Sequence, residues 1–134
     1  MDISIYNPKT MGPPLSHYSQ VARAEASEMI FIAGQVATDL QGRSVGKGDF
    51  ETQMKQALEN IRLALESADA SFANVVTFTT YLVKAEDIAN FWRVREALFP
   101  KLFPNHAYPP NTLLVVNRLV HEDFLIEIQT IAVR

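Results

Sequence analysis

An α+β fold, a mixed sheet with two helices layered on one face, is what this sequence predicts, and three observations carry the prediction. Two stretches repeat their apolar residues at helical spacing, while the others have the short, β-branched character of strands. These elements come in the order strands, helix, strand, helix, two strands, without an internal repeat. Finally, 134 residues with 48% hydrophobic and 20% charged content have the size and make-up of one globular domain, residues 1–134.

Ile3–Tyr6 reads as a short strand closed by Asn7-Pro8, and Lys9–Ser16, with Gly12, Pro13 and Pro14, as a loop. Val21–Glu25 leads into a turn at Ser27-Glu28. Met29-Ile30-Phe31-Ile32-Ala33 is then a continuous apolar run, the pattern of a strand buried on both faces. Gly34-Gln35 ends it, and Gly34 marks a bulge or a close approach of another backbone or a ligand. Asp39–Gly48, rich in glycine, is a loop. Asp49–Ala68 is the clearest helix, because Phe50, Met54, Ala57, Leu58, Ile61, Leu65 and Ala68 form one stripe suited to core packing. Gly48 or Asp49 caps it, and Asp49 and Glu51 suit its positive end. Asn74–Val83 alternates, with Val76, Phe78 and Leu82 on one face and Thr77, Thr79 and Tyr81 on the other. Glu86–Phe99 predicts a second helix with Ile88, Phe91, Val94 and Leu98 inward, stopped by Pro100. Pro104–Pro110 is a proline-rich loop.

The chain closes on Asn111–Leu119 and Phe124–Val133, read as two strands paired around a polar turn. Ile126, Ile128, Thr130 and Ala132 share one face of the second; Leu125, Glu127, Gln129 and Ile131 share the other. Neither is an ordinary solvent face. An unpaired carboxylate is costly to bury, so Glu127 either sits in water at a sheet edge or belongs to a site. Two helices cover one side of such a sheet. The other would expose Leu113, Val115, Leu125 and Ile131, or their opposite-parity neighbours, more apolar area than a lone chain presents. Burial against further copies in closed symmetry is the expectation.

Composition removes several function classes. A net charge of −3 without a basic cluster argues against a nucleic-acid partner. No apolar run has membrane length and the N-terminal stretch lacks the charged-then-apolar pattern of a signal, so no membrane partner and a cytoplasmic location are expected. The absence of cysteine excludes disulfides, thiolate catalysis and cysteine metal sites. With no phosphate loop, no cofactor is expected. His17, His106 and His121 are scattered over loops as surface residues, so no metal site is expected either. What remains is Tyr18, Gln35 after Gly34, Arg93 and Arg95 on the second helix, Asn111 and Glu127. At a strand start, Asn111 has the plain reading of a cap or turn residue.

In chain order these residues resemble the RidA/YjgF family of small enamine and imine deaminases over nearly the whole length. Tyr18-Ser19-Gln20 is similar to the family's N-terminal tyrosine motif, and Phe31-Ile32-Ala33-Gly34-Gln35-Val36 resembles its "FISGQ" strand end. Gln56-Ala57-Leu58-Glu59-Asn60-Ile61 resembles its helix motif, and Asn74-Val75-Val76 through Tyr81-Leu82 its next strand. Ile126-Glu127-Ile128 through Ile131-Ala132-Val133 resembles its closing "VEIEAIAV". The resemblance implies a chorismate-mutase-like (YjgF-like) sheet and a homotrimer with small-molecule clefts between subunits. In active members an arginine at the start of the penultimate strand holds the substrate carboxylate bidentately. The last strand's glutamate positions the water that hydrolyses the imine to a 2-keto acid and ammonia. Glu127 matches that glutamate; Tyr18 and Gly34 match cleft positions, and Gln35 joins them as a ligand-binding candidate.

Two departures stand out. Counting back from Arg118-Leu119, aligned with the family's "RL", puts Asn111 where the arginine stands. An amide brings no charge, and charge-assisted bonds exceed neutral ones by about 1–2 kcal/mol each. Arg95 occupies a helix position that is usually asparagine. Arginine is seldom buried, so solvent or a salt bridge is its ordinary fate; a guanidinium entering the cleft is the other reading. The family's Gly-Pro before the tyrosine is replaced by Ser16-His17. The resemblance thus implies a small-metabolite-binding protein of the arginine-lacking branch, with Glu127 assisting hydrolysis of an imine or enamine. The rival reading is a non-catalytic ligand-binding or protein-interaction module. Endoribonuclease action, attributed to some relatives, finds no basic groove in an acidic chain.

Overall fold

The computed structural model describes residues 1–134. Its elements are β1 (Asp2–Tyr6), β2 (Val21–Glu25), β3 (Met29–Gln35), α1 (Phe50–Ser67), a 3-10 turn at Phe72–Asn74, β4 (Val75–Leu82), α2 (Asp87–Leu102), β5 (Asn111–Val115) and β6 (Ile126–Val133). β1 and β2 form an antiparallel pair, and the main sheet runs β3-β6-β4-β5. β6 is antiparallel to both neighbours while β5 is parallel to β4, so the sheet is mixed, with α1 and α2 on one face.

α1 forms where its stripe requires. Asp49 is the N-cap, its Oδ1 accepting from Thr52 N at 3.1 Å, and Ala68 is the C-cap. Phe50, Met54, Ala57, Leu58, Ile61 and Leu65 are buried in the core. The stripe also takes in a polar residue that the apolar period passed over. Gln53 is fully buried, donating from Nε2 to Asp123 O at 2.7 Å and accepting at Oε1 from Leu125 N at 2.8 Å. Those bonds satisfy an amide that would be costly to bury alone. They also fix the backbone just ahead of β6.

Four expectations are corrected. The closing strands are not a hairpin: β6 lies between β3 and β4, and β5 pairs only with β4, at the edge. A parallel neighbour needs a crossover, and α2 supplies it between β4 and β5. Pro100 lies inside α2, which runs on to Leu102. Near a helix end the ring removes only one bond, and Phe103 N still reaches Phe99 O at 2.8 Å. In β4 a register shift between Val75 and Thr77 turns Val75, rather than Val76, into the core alongside Phe78, Thr80 and Leu82. Finally, β3 is not buried on both faces: Ile32 is buried, but Met29 and Phe31 are 61% and 69% exposed.

Candidate functional site

Glu127 belongs to the face of β6 that no helix covers. Its neighbours Ile126 and Ile128 point into the core, so strand alternation sends Glu127 to the opposite side. There it stands directly across from Tyr81 of β4 and is half-buried. Gly34 explains how a carboxylate fits against β3. A Cβ built on Gly34 would lie 2.6 Å from Glu127 Cδ and 2.7 Å from Cγ, so the missing side chain is the space the acid occupies. The register of β3 against β6 shifts between Ile32 and Gln35, a bulge that brings Gly34 to this point. Gln35 follows, its Nε2 donating to Ala33 O at 3.0 Å.

A second group lies on the helix side. α2 turns Phe91, Val94, Arg95 and Phe99 inward, one residue round from the expected phase. Arg95 is therefore neither solvent-facing nor salt-bridged: it is 1% exposed, with its guanidinium carbon 3.8 Å from the Phe99 ring centroid. Nε donates to His17 O at 2.7 Å, while the buried Nη2 has no partner. Burial pulls the guanidinium down to about 9, opposed by the nearby Tyr108, which leaves it charged at neutral pH. Arg93, by contrast, points outward and pairs with Glu51 at 3.0 Å.

The segment over Arg95 carries Tyr18, whose ring stacks on Trp92 at 6.3 Å and whose hydroxyl accepts from Leu15 N at 3.2 Å. The His17 ring rests 4.9 Å from Tyr108. Asn111 opens β5 opposite Phe78, and its Oδ1 accepts from Thr80 Oγ1 at 2.8 Å. Since Thr80 is buried under the helices, Asn111 also faces that side. His106 and His121 lie on loops, at Tyr108 and Asp123 respectively.

The structure thus brings Glu127, Gly34 and Gln35 together, sets Tyr18 in the segment over Arg95, and puts Asn111 on the same side of the sheet as Arg95. The sheet stands between the two groups within one chain. Sequence reasoning passed over Tyr81 and Tyr108, and over the His17 carbonyl. Alternation did put Tyr81 on a face with Thr77 and Thr79, but only the β4–β6 register sets it opposite Glu127.

Fold and site together define a small α+β domain whose chemical groups line two sides of one mixed sheet. The family described as Endoribonuclease L-PSP matches residues 10–134. A RutC family protein of Pyrococcus horikoshii is 37% identical over 125 residues, 93% of this chain and 90% of the relative. The 2-iminobutanoate/2-iminopropanoate deaminase of Salmonella typhimurium is 29% identical over 127 residues, 95% of this chain and 91% of that one. Among solved structures, YyfB from Yersinia pestis, a protein of the conserved Rid family, superposes with a TM-score of 0.87 at 29% identity, covering 100% of both chains. The chain belongs to this family, the RidA/YjgF or Rid proteins, and has its α+β fold.

Proposed function

We propose that this chain binds a small metabolite in clefts between like subunits, a homotrimer, and there hydrolyses an imine or enamine to a carbonyl compound and ammonia. The observation that carries the reading is the fit of Glu127 into the space left by Gly34. A strand carboxylate held at a backbone notch, on a face that no helix covers, is placed to orient water. Water adds to the imine carbon with a proton passing to nitrogen; the resulting carbinolamine collapses to the C=O bond, and the C–N bond breaks to release ammonia. Glu127 accepts the water's proton in the first step and returns one to the leaving nitrogen.

Association supports the same reading. Phe31 and Ile131 pair on the open face, and Met29 and Leu114 stand 61% and 43% exposed. Covering that face with another copy would remove apolar area from water and enclose Glu127 between subunits. The Salmonella relative's name, an imine deaminase, agrees with the chemistry. A nuclease reading has no basic groove behind it at a net charge of −3.

The test is ammonia and 2-oxobutanoate release from freshly generated 2-iminobutanoate. Turnover should fall at least 100-fold in Glu127→Gln. Absence of turnover in the wild type on this and on uncharged imines would overturn the hydrolase reading. It would favour the ligand-binding module, for which one observation speaks: Asn111, at the start of β5, brings no charge to a carboxylate and its carbonyl oxygen is already engaged by Thr80.

A further inference from the structure

Arg95 is a charge without a counter-charge. Of its five N–H donors one has an acceptor, Nε on the backbone carbonyl of His17; Nη2 is buried without a partner and no carboxylate pairs with the group. Ordinarily a buried guanidinium is paired with a carboxylate in bidentate geometry, because single neutral acceptors leave most of its donors unsatisfied. Its guanidinium carbon lies 3.8 Å from the Phe99 ring centroid, a cation–π contact that helps hold the group in place, and its buried Nη2 lacks a partner. Unsatisfied polar groups gather around the same segment: Ser16 Oγ and Gln20 Oε1 are also buried without partners.

What covers the arginine is weakly anchored. Leu15 is 89% exposed, and the bonds from Tyr18 N to Ser16 O and from Leu15 N to Tyr18 Oη are local to the segment. The longer-range contacts are the Tyr18–Trp92 stack, the His17–Tyr108 contact and the Arg95 bond itself.

We propose that Arg95 receives the anionic carboxylate of the ligand, and that Leu15–Tyr18 is a flap which the ligand displaces from it. The His17 carbonyl is then a place-holder: one neutral acceptor exchanged for a bidentate, charged one. The inference rests on the metabolite-binding reading above, and it names what that reading left open, the element that selects a carboxylate when Asn111 stands at the strand position. It places the clamp on α2 rather than on β5.

The decisive quantity is a ratio, because an arginine that merely props the flap would affect charged and uncharged ligands alike. Binding of 2-oxobutanoate and of its uncharged isostere 2-oxobutanamide is measured by calorimetry on the assembled protein. The wild type should favour the carboxylate at least tenfold, Arg95→Gln and Arg95→Met should erase the preference, and Arg93→Gln should keep it. A wild type without preference, or an Arg95 variant that retains it, overturns the proposal. Should the Arg95 variants fail to fold, arginine-labelled wild-type protein decides: the Arg95 Nε–Hε signal must move with 2-oxobutanoate and stay with the amide, and an unmoved signal overturns the clamp. Trp92 is the chain's one tryptophan, so its fluorescence reports the flap. It should change as Tyr18 leaves the stack, and constant fluorescence at saturation refutes the displacement. Turnover separates the two readings. A carboxylate preference that depends on Arg95 without any turnover leaves the clamp standing and removes the hydrolase; turnover that depends on Glu127 without carboxylate preference does the reverse.

Discussion

The two faces of β6 divide the labour of the molecule. Ile126, Ile128, Thr130 and Ala132 are buried beneath the helices, whereas Glu127, Gln129 and Ile131 look the other way, toward a side that no helix covers. One parity of a single strand holds the fold together, and the other is the one on which the proposed function and association draw. Substitutions one residue apart should therefore change different properties.

The largest effect is expected from Ile126→Ala, which opens a cavity at a fully buried site and should lower stability by about 2–5 kcal/mol in denaturant unfolding. A loss below about 1 kcal/mol would break the division between faces. Next comes Gly34→Ala. The new methyl collides with Glu127, so stability should fall by about 1–3 kcal/mol and the carboxylate should be evicted. Adding Glu127→Ala should restore the loss; strict additivity of the two changes would show that notch and acid are not coupled.

On the open face, Phe31→Ser should leave the unfolding free energy of the isolated subunit within about 0.5 kcal/mol, because its side chain is exposed there. Sedimentation should nevertheless show weakened self-association, and an unchanged oligomer would remove this face from the interface. The smallest effect concerns pH. Hydrogen bonds from the Thr52 backbone, then from its hydroxyl, hold the Asp49 carboxyl below its ordinary 3.8. A lowered folded value means that this contribution is complete above 3.8 and is lost as pH falls through the folded value. Asp49→Asn should flatten the acid limb of the stability profile, and an unaltered limb would place the acid sensitivity elsewhere.

Local periodicity made much of this legible. The α1 stripe, its Asp49 cap and the alternation of β6 depend only on neighbours three, four or two residues away, so the chain displays them directly. The pattern around Gly34 indicates a close approach but not what approaches, since Glu127 lies more than ninety positions further on. Strand pairing was the main failure. The run from Asn111 and the run from Phe124 are adjacent in sequence, yet β6 inserts between β3 and β4, a choice made by tertiary packing. The burial of Arg95 escapes the sequence for a related reason. A small rotation of α2 decides between solvent and core, and the pattern of Ile88, Phe91, Val94 and Leu98 allowed both phases.

Gln53 has a consequence for how this family of shapes can vary in length. By gripping Asp123 and Leu125, it anchors the chain two residues before Glu127, whatever path the chain has taken from Val115. The intervening Asn117–Glu122 stretch is largely exposed, with Val120 83% accessible. Insertions or deletions there are absorbed upstream of the anchor, so this loop can be rebuilt, or made to carry a foreign peptide, while the acid keeps its place against the Gly34 notch.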